Sequence, residues 1–141
     1  MFLDQIMNAP TINYASRGMS AASLRHEVIS NNIANVNTPN FKRSGVIFED
    51  LLAKELQIDE NPRQLKLVRT HDMHLPVGLP GPVSPKIERE DTTTMRVDNN
   101  NVDIDREMAG LAKNQLYYNS LATSLGSYIS RMKNAITSGQ S

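Results

Sequence analysis

Apolar side chains recur every three or four residues at both ends of the chain and lose that rhythm in the middle. From Ile12 the spacing picks out Ala15, Met19, Ala22, His26, Ile29, Ile33 and Val36, which predicts one helix with a heptad-like packing seam. Pro10 suits the first helical turn, because it has no N–H to leave unpaired and its φ is already set. Pro39 disfavours helical geometry at Thr38 and bounds the helix on the other side. The second seam is cleaner. Ile104, Met108, Leu111, Gln115, Tyr118, Ala122, Leu125, Ile129, Met132 and Ile136 keep the same alternation, with Gln115 the only plainly polar member. Asn101 or Asp103 is placed to cap its start, and Asp105 and Glu107 fall in its positive first turn. Arg131 and Lys133 fall near its negative end, and Gly139 supplies a stop. At the rise of an α-helix the two would be roughly 38 Å and roughly 50 Å long. Leu116, Tyr117, Leu121 and Tyr128 widen the second stripe beyond a two-stranded seam, so neighbours on more than one side are expected. An intramolecular helical hairpin resting on the middle region is the alternative.

Between the arms the character changes. Pro62, Pro76, Pro80, Pro82 and Pro85, with Gly78 and Gly81, punctuate short β-like runs such as LKLVR and TMRV, while FEDLLAKELQ reads as a brief helix. LPVGLPGPVSP is too rich in proline for regular structure and reads as an exposed loop. The predicted organisation is a helical arm over 1–39, a loop-rich insert with short strands over 40–100, and a second helical arm over 101–141. The fold class is mainly α with a small β-containing insert, the long terminal helices packing as a coiled-coil-like axial domain.

Composition removes several function classes. Fifteen basic and fifteen acidic side chains leave no net charge, so no global attraction to nucleic acid or anionic lipid is expected. Aromatic residues make up 5% and tryptophan is absent, which leaves little for base stacking or a dense core and favours an extended architecture. Without cysteine, disulfide and thiolate chemistry are excluded. MFLDQIMNAP has neither a basic leader nor an apolar run long enough for a signal peptide, so any export is expected to use a signal that is not cleaved.

One stretch resists the simple helix reading. ISNNIANVNTPNFKR carries Asn31, Asn32 and Asn35 in the last turns of the first helix and Asn37 just beyond it. A generic helix stop needs one asparagine or glycine and a proline. This density predicts a fixed polar junction in which amides bond freed carbonyls or a neighbouring chain, with Thr38, Pro39, Asn40, Phe41 and Lys42 completing it.

The run NNIANVNTPNFKR resembles the signature of bacterial flagellar rod and hook proteins, whose N-terminal helix ends in an N-x-x-T-P-G-[FY]-K type segment. Asn40 stands here in place of the usual glycine, and asparagine is among the few other residues that tolerate φ > 0. NNNVDIDREMAGLAKNQLYYNSLATSLGSYISRMKNAI is similar to the C-terminal segment of the FlgB class, the proximal rod proteins. The resemblance implies a non-enzymatic subunit exported unfolded through the flagellar type III apparatus and assembled helically into the periplasmic rod of the basal body. Implied partners are further copies and other rod subunits, a FliE-type adaptor, the membrane ring and the export gate. No cofactor or small-molecule substrate is implied.

His71 and His74, in RTHDMHL, have the spacing of a metal pair, yet H-x-x-H alone lacks a third ligand, and a surface or packing role is the expectation. His26 lies on the seam, where a satisfied interfacial histidine is expected. Lys42 and Arg43 suit either acidic groups on a neighbour or a solvated turn. Asp103 and Asp105 are explained by capping, and Glu88, Glu90 and Asp91 by a solvated loop. No nucleophile elbow or phosphate loop is present. A type III secretion needle component or export adaptor is the competing assembly class, and a metal-dependent hydrolase the competing enzyme.

Overall fold

Five elements follow one another in the computed structural model, which describes residues 10–60 and 83–138. They are α1 (Pro10–Ala34), β1 (Ser44–Ile47), α2 (Glu49–Glu60), β2 (Lys86–Arg89) and α3 (Ile104–Ser138). Helix α1 opens on Pro10 and ends before Pro39, the limits its prolines predict. Helix α3 begins just after Asp103, whose Oδ1 accepts the N–H groups of Asp105 (3.0 Å) and Arg106 (3.3 Å). Asp103 is therefore the cap, and Asn101 is used elsewhere. The helix continues to Ser138, which leaves Arg131 and Lys133 short of its last turn.

The two long helices pack antiparallel. Asn32 meets Glu107, Ile29 meets Gly110, Ala22 meets Asn114 and Gly18 meets Leu121, so numbers rise along one helix as they fall along the other. Buried on α1 are Gly18, Ala21, Ala22, Val28, Ile29 and Asn32. The line of contact follows the smallest side chains, which let the backbones approach, and is thereby turned from the predicted seam. A Cβ on Gly18 would lie 3.1 Å from Leu121 Cδ1. His26, expected inside the seam, is exposed for the same reason. Ile12, Met19 and Ile33 are half-buried at the margins. On α3, Leu111, Tyr117, Leu121, Leu125, Tyr128 and Met132 are half-buried, whereas Ile104, Met108, Leu116, Tyr118, Ile129 and Ile136 stay exposed. The wide stripe thus divides into a covered edge and an uncovered one.

The insert carries an antiparallel two-stranded sheet in the register Ser44↔Arg89 to Ile47↔Lys86. Phe48, only 1% exposed, anchors the turn from β1 into α2. These strands are not the predicted ones. LKLVR lies outside the described residues, and TMRV is a turn in which Met95 and Arg96 both donate backbone N–H to Asn100 O, at 3.2 Å each. Val97 sits on it fully exposed. SGVI and KIER pair instead because β1 runs directly out of the junction, whose contacts set its position. Helix α2 contains the predicted FEDLLAKELQ segment from Glu49 onward. Gly139, His71 and His74 lie outside the described residues.

Candidate assembly junction

The end of α1 is closed by amides. Asn35 N–H is shared between the carbonyls of Asn31 (3.1 Å) and Asn32 (3.2 Å), and Thr38 N–H bonds Asn35 O (3.0 Å). The Asn35 side chain donates back to Asn31 O (2.8 Å), and Thr38 Oγ1 donates to Asn35 Oδ1 (3.2 Å). Asn40 then takes φ 60°, the left-handed conformation for which asparagine pays less than other non-glycine residues. Its N–H reaches Asp98 O at 2.8 Å. Asn99, at φ 62°, donates its amide to Asn40 Oδ1. Two left-handed asparagines thus face each other where the chain leaves α1 and where it returns to α3.

Asn100 holds the turn that follows α1, whose carbonyls lie past the helical ladder. Asn100 Nδ2 donates to Asn35 O (3.1 Å), Val36 O (3.1 Å) and Thr38 O (2.9 Å), while its Oδ1 accepts Val102 N–H at 2.7 Å. The residue is completely buried. Asn101 works on the strands: its Oδ1 accepts Arg43 N–H (2.7 Å), and its Nδ2 donates to Glu90 O (2.7 Å) and Thr93 Oγ1 (2.9 Å).

A buried charge completes the site. Glu107, 1% exposed, accepts from Arg43 Nε on Oε1 and from Asn32 Nδ2 on Oε2 at 3.1 Å. Arg43 also reaches Glu90 Oε2 at 3.3 Å. Burial works against the Arg43 charge, but the carboxylates of Glu107 and Glu90 outweigh it and hold its pKa above the ordinary value. Asn32 Nδ2 also donates to Ser44 O (2.8 Å), and Asn32 Oδ1 accepts Ser44 N–H (3.1 Å). One helix side chain thereby bonds the outer edge of β1 as a neighbouring strand would, which leaves that edge unavailable to another chain.

Of the predicted junction residues, Asn32, Asn35, Thr38, Asn40 and Lys42 take part through bonds, Lys42 donating Nζ to Thr93 O at 2.8 Å. Asn31 contributes chiefly its carbonyl. Asn37 and Pro39 are exposed, and Phe41 is half-buried. Arg43 meets acidic groups of its own chain. Sequence reasoning missed Asn100, Asn101 and Glu107 as members. The NNN run at 99–101 was a visible signal, because it repeats the amide density at the end of α1.

The arrangement is built to hold geometry. Its acids and bases are paired with one another. Among the described residues no group of three or more His, Cys, Asp or Glu is placed to hold a metal, and no helix is long and apolar enough to cross a membrane. A family model described as flagella basal body rod protein matches residues 12–42, which run through α1 and the junction. The chain is 39% identical to the flagellar basal body rod protein FlgB of Borreliella burgdorferi over 112 residues, 77% of this chain and 82% of the relative. It is 32% identical to the protein of that name in Bacillus subtilis over 130 residues, 92% and 95% of the two chains. The Escherichia coli counterpart is 27% identical over 129 residues, 91% and 94% of the two.

Proposed function

From the premise that the chain belongs to the FlgB family of flagellar basal body rod proteins, we propose that its α1–α3 pair packs against other rod subunits while the junction fixes how the insert leaves that pair. The protein is a structural subunit of the rod, located in the flagellar basal body and assembled with other rod subunits, and it is not an enzyme. In this reading residues 1–39 and 101–141 form the axial domain and residues 40–100 the insert. The uncovered edge of α3 supplies the intersubunit contact through Ile104, Met108, Tyr118, Ile129 and Ile136.

One observation carries the reading: a long helix leaves a row of large apolar side chains uncovered while the polar end beside it is satisfied within the chain. Ile104 is 47% exposed, Met108 52% and Ile129 51%. A row of this kind marks an interaction surface. Contacts that repeat head to tail without closing generate an open helical assembly, which suits a drive shaft through the periplasm. The proximal position, the FliE-type adaptor, membrane ring and export gate as neighbours, and export without a cleaved signal belong to the same proposal.

Because the chain has no cysteine, single introduced thiols test it. Labelled with a thiol-reactive photocross-linker, Met108→Cys and Ile129→Cys should each cross-link to a neighbouring rod subunit in isolated basal bodies. Incorporation of both variants without cross-linking would overturn the assignment of this edge.

A further inference from the structure

Helix α2 is attached to the rest of the chain in an unusual way. Among its described side chains apolar cover lies at the root, where Phe48 is buried and Leu51 and Leu52 are half-buried; Ala53, Lys54 and Leu56 are exposed. Beyond the root the contacts with α1 are charged. Arg25 Nη2 lies 2.6 Å from Glu49 Oε2. Arg17 forms a fork on Glu55, with Nη2 to Oε2 at 2.6 Å and Nη1 to Oε1 at 3.2 Å. Arg17 and Arg25 are two turns apart on α1, and Glu49 and Glu55 nearly two turns apart on α2, so the helices meet antiparallel across two rungs.

The far rung ties in a third stretch. Arg17 donates Nε (3.1 Å) and Nη2 (2.6 Å) to Val83 O, and Val83 N–H donates to Glu55 Oε2 at 3.1 Å. The Tyr14 ring, with its centroid 5.8 Å from Arg17 Cζ, adds a cation–π contact. The Arg17 and Glu55 side chains are 16% and 17% exposed, against 22% and 50% for Arg25 and Glu49. The far rung is thus the sheltered one. None of these groups bonds to the junction or to α3.

We propose that α2 is a releasable arm: two arginine–glutamate rungs, with Arg17 the principal holder, dock α2 and Val83 on α1, and the arm detaches while the α1–α3 pair stays intact. An apolar seam would make detachment part of global unfolding. Charge pairs instead yield to competing charges, and the more exposed Arg25–Glu49 rung yields to salt as well, while elements with little apolar cover open locally. The use we assign rests on the rod reading. Subunits at successive levels meet different neighbours, and a carboxylate offered to Arg17 would exchange with Glu55 and let α2 take a second pose on the same axial pair.

Hydrogen–deuterium exchange of the full chain separates the detachment from its use. Arg17→Gln should raise exchange across residues 51–60 by about tenfold or more while residues 18–32 and 107–125 stay as protected as before. Glu55→Gln should behave alike. Raising ionic strength should give a smaller rise over 51–60 in the natural chain, because the sheltered far rung is screened less than the exposed one. Unchanged exchange over 51–60 in both variants would mean that the apolar root alone holds the arm. An equal rise over 18–32 would make Arg17 part of the axial fold. Either result overturns the proposal, and neither depends on whether the subunit enters a rod.

Discussion

At the junction end of the helix pair, Asn32, Asn100, Asn101 and Glu107 are buried with their polar atoms bonded within the chain; farther along, Gly18 makes room for Leu121 and Tyr117, and a single side-chain bond, from Asn114 to Ala22 O, crosses the pair. The shaft is held by area, which is tolerant of small shifts. The junction is held by direction, because a buried donor or acceptor that loses its partner incurs a full desolvation cost. In the proposed assembly, such a pair of regions would let a long helical surface adapt to neighbours while the direction in which the sheet leaves the helix pair stays set. The contrast is open to attack by substitution from either end.

The largest effect should come from the buried charge. Glu107→Ala strips Arg43 and Asn32 of a common acceptor. Breaking one partner of a buried pair costs about 3–5 kcal/mol, and the lower end applies because the Arg43 side chain keeps 25% exposure. Against a typical total of about 5–15 kcal/mol, urea denaturation should show a large loss. Glu107→Gln, which keeps the shape and an acceptor for Asn32, should lose less. Equal losses in the two variants would show that volume rather than charge holds this end.

Asn100→Ala comes next, at about 1–3 kcal/mol. Exchange of the backbone around residues 35–38 and 102 should rise more than that of 18–29. A uniform rise would make the turn an ordinary part of the core. Asn40→Gly should change stability by less than about 0.5 kcal/mol, since relief at φ 60° is offset by a looser unfolded chain. Asn40→Val forces a branched side chain into the left-handed region and should cost about 1–2 kcal/mol.

These two regions were also unequally legible. Pro10, Pro39 and the three-four rhythm announced both helices, because periodicity and proline act locally. The Asn40 turn was legible for the same reason. Which edge of each stripe would be covered was not, since it depends on how closely two backbones approach, and Gly18 carries no hydrophobic weight in a periodicity count. The partners of the amides were hidden more deeply. Asn100 bonds turn carbonyls more than sixty residues earlier, and spacing along the chain carries no trace of that meeting. Glu107 looked like a dipole residue because its exposed neighbour Asp105 is one. SGVI was overlooked as a strand because a glycine and a serine weaken its propensity, while Asn32 and the β2 backbone bonds compensate.

On the shaft the expected effects shrink. Gly18→Ala gains up to about 1 kcal/mol of helix propensity, and the tight 3.1 Å approach involves only the movable tip of Leu121. Thermal melts should place this variant near the parent. Gly18→Leu overfills the same space and should cost about 1–3 kcal/mol. A large loss from alanine alone would show that the shaft is as demanding as the junction, and the contrast would fail.

The smallest effect on the isolated chain should come from Ile129→Asp, and it is the most informative about assembly. Ile129 is 51% exposed, so the change should move urea stability by less than about 0.5 kcal/mol. If this edge meets another subunit, the same carboxylate becomes buried without a partner, at several kcal/mol for every repeated contact. Cells should then make and export the variant yet fail to swim. Full motility would remove the uncovered edge from the interface. A strong loss of stability in the purified chain would mean that Ile129 already packs at home, and the motility defect would say nothing about neighbours. Only the combination of an unperturbed subunit and a failed rod separates a surface kept for partners from an unfinished core.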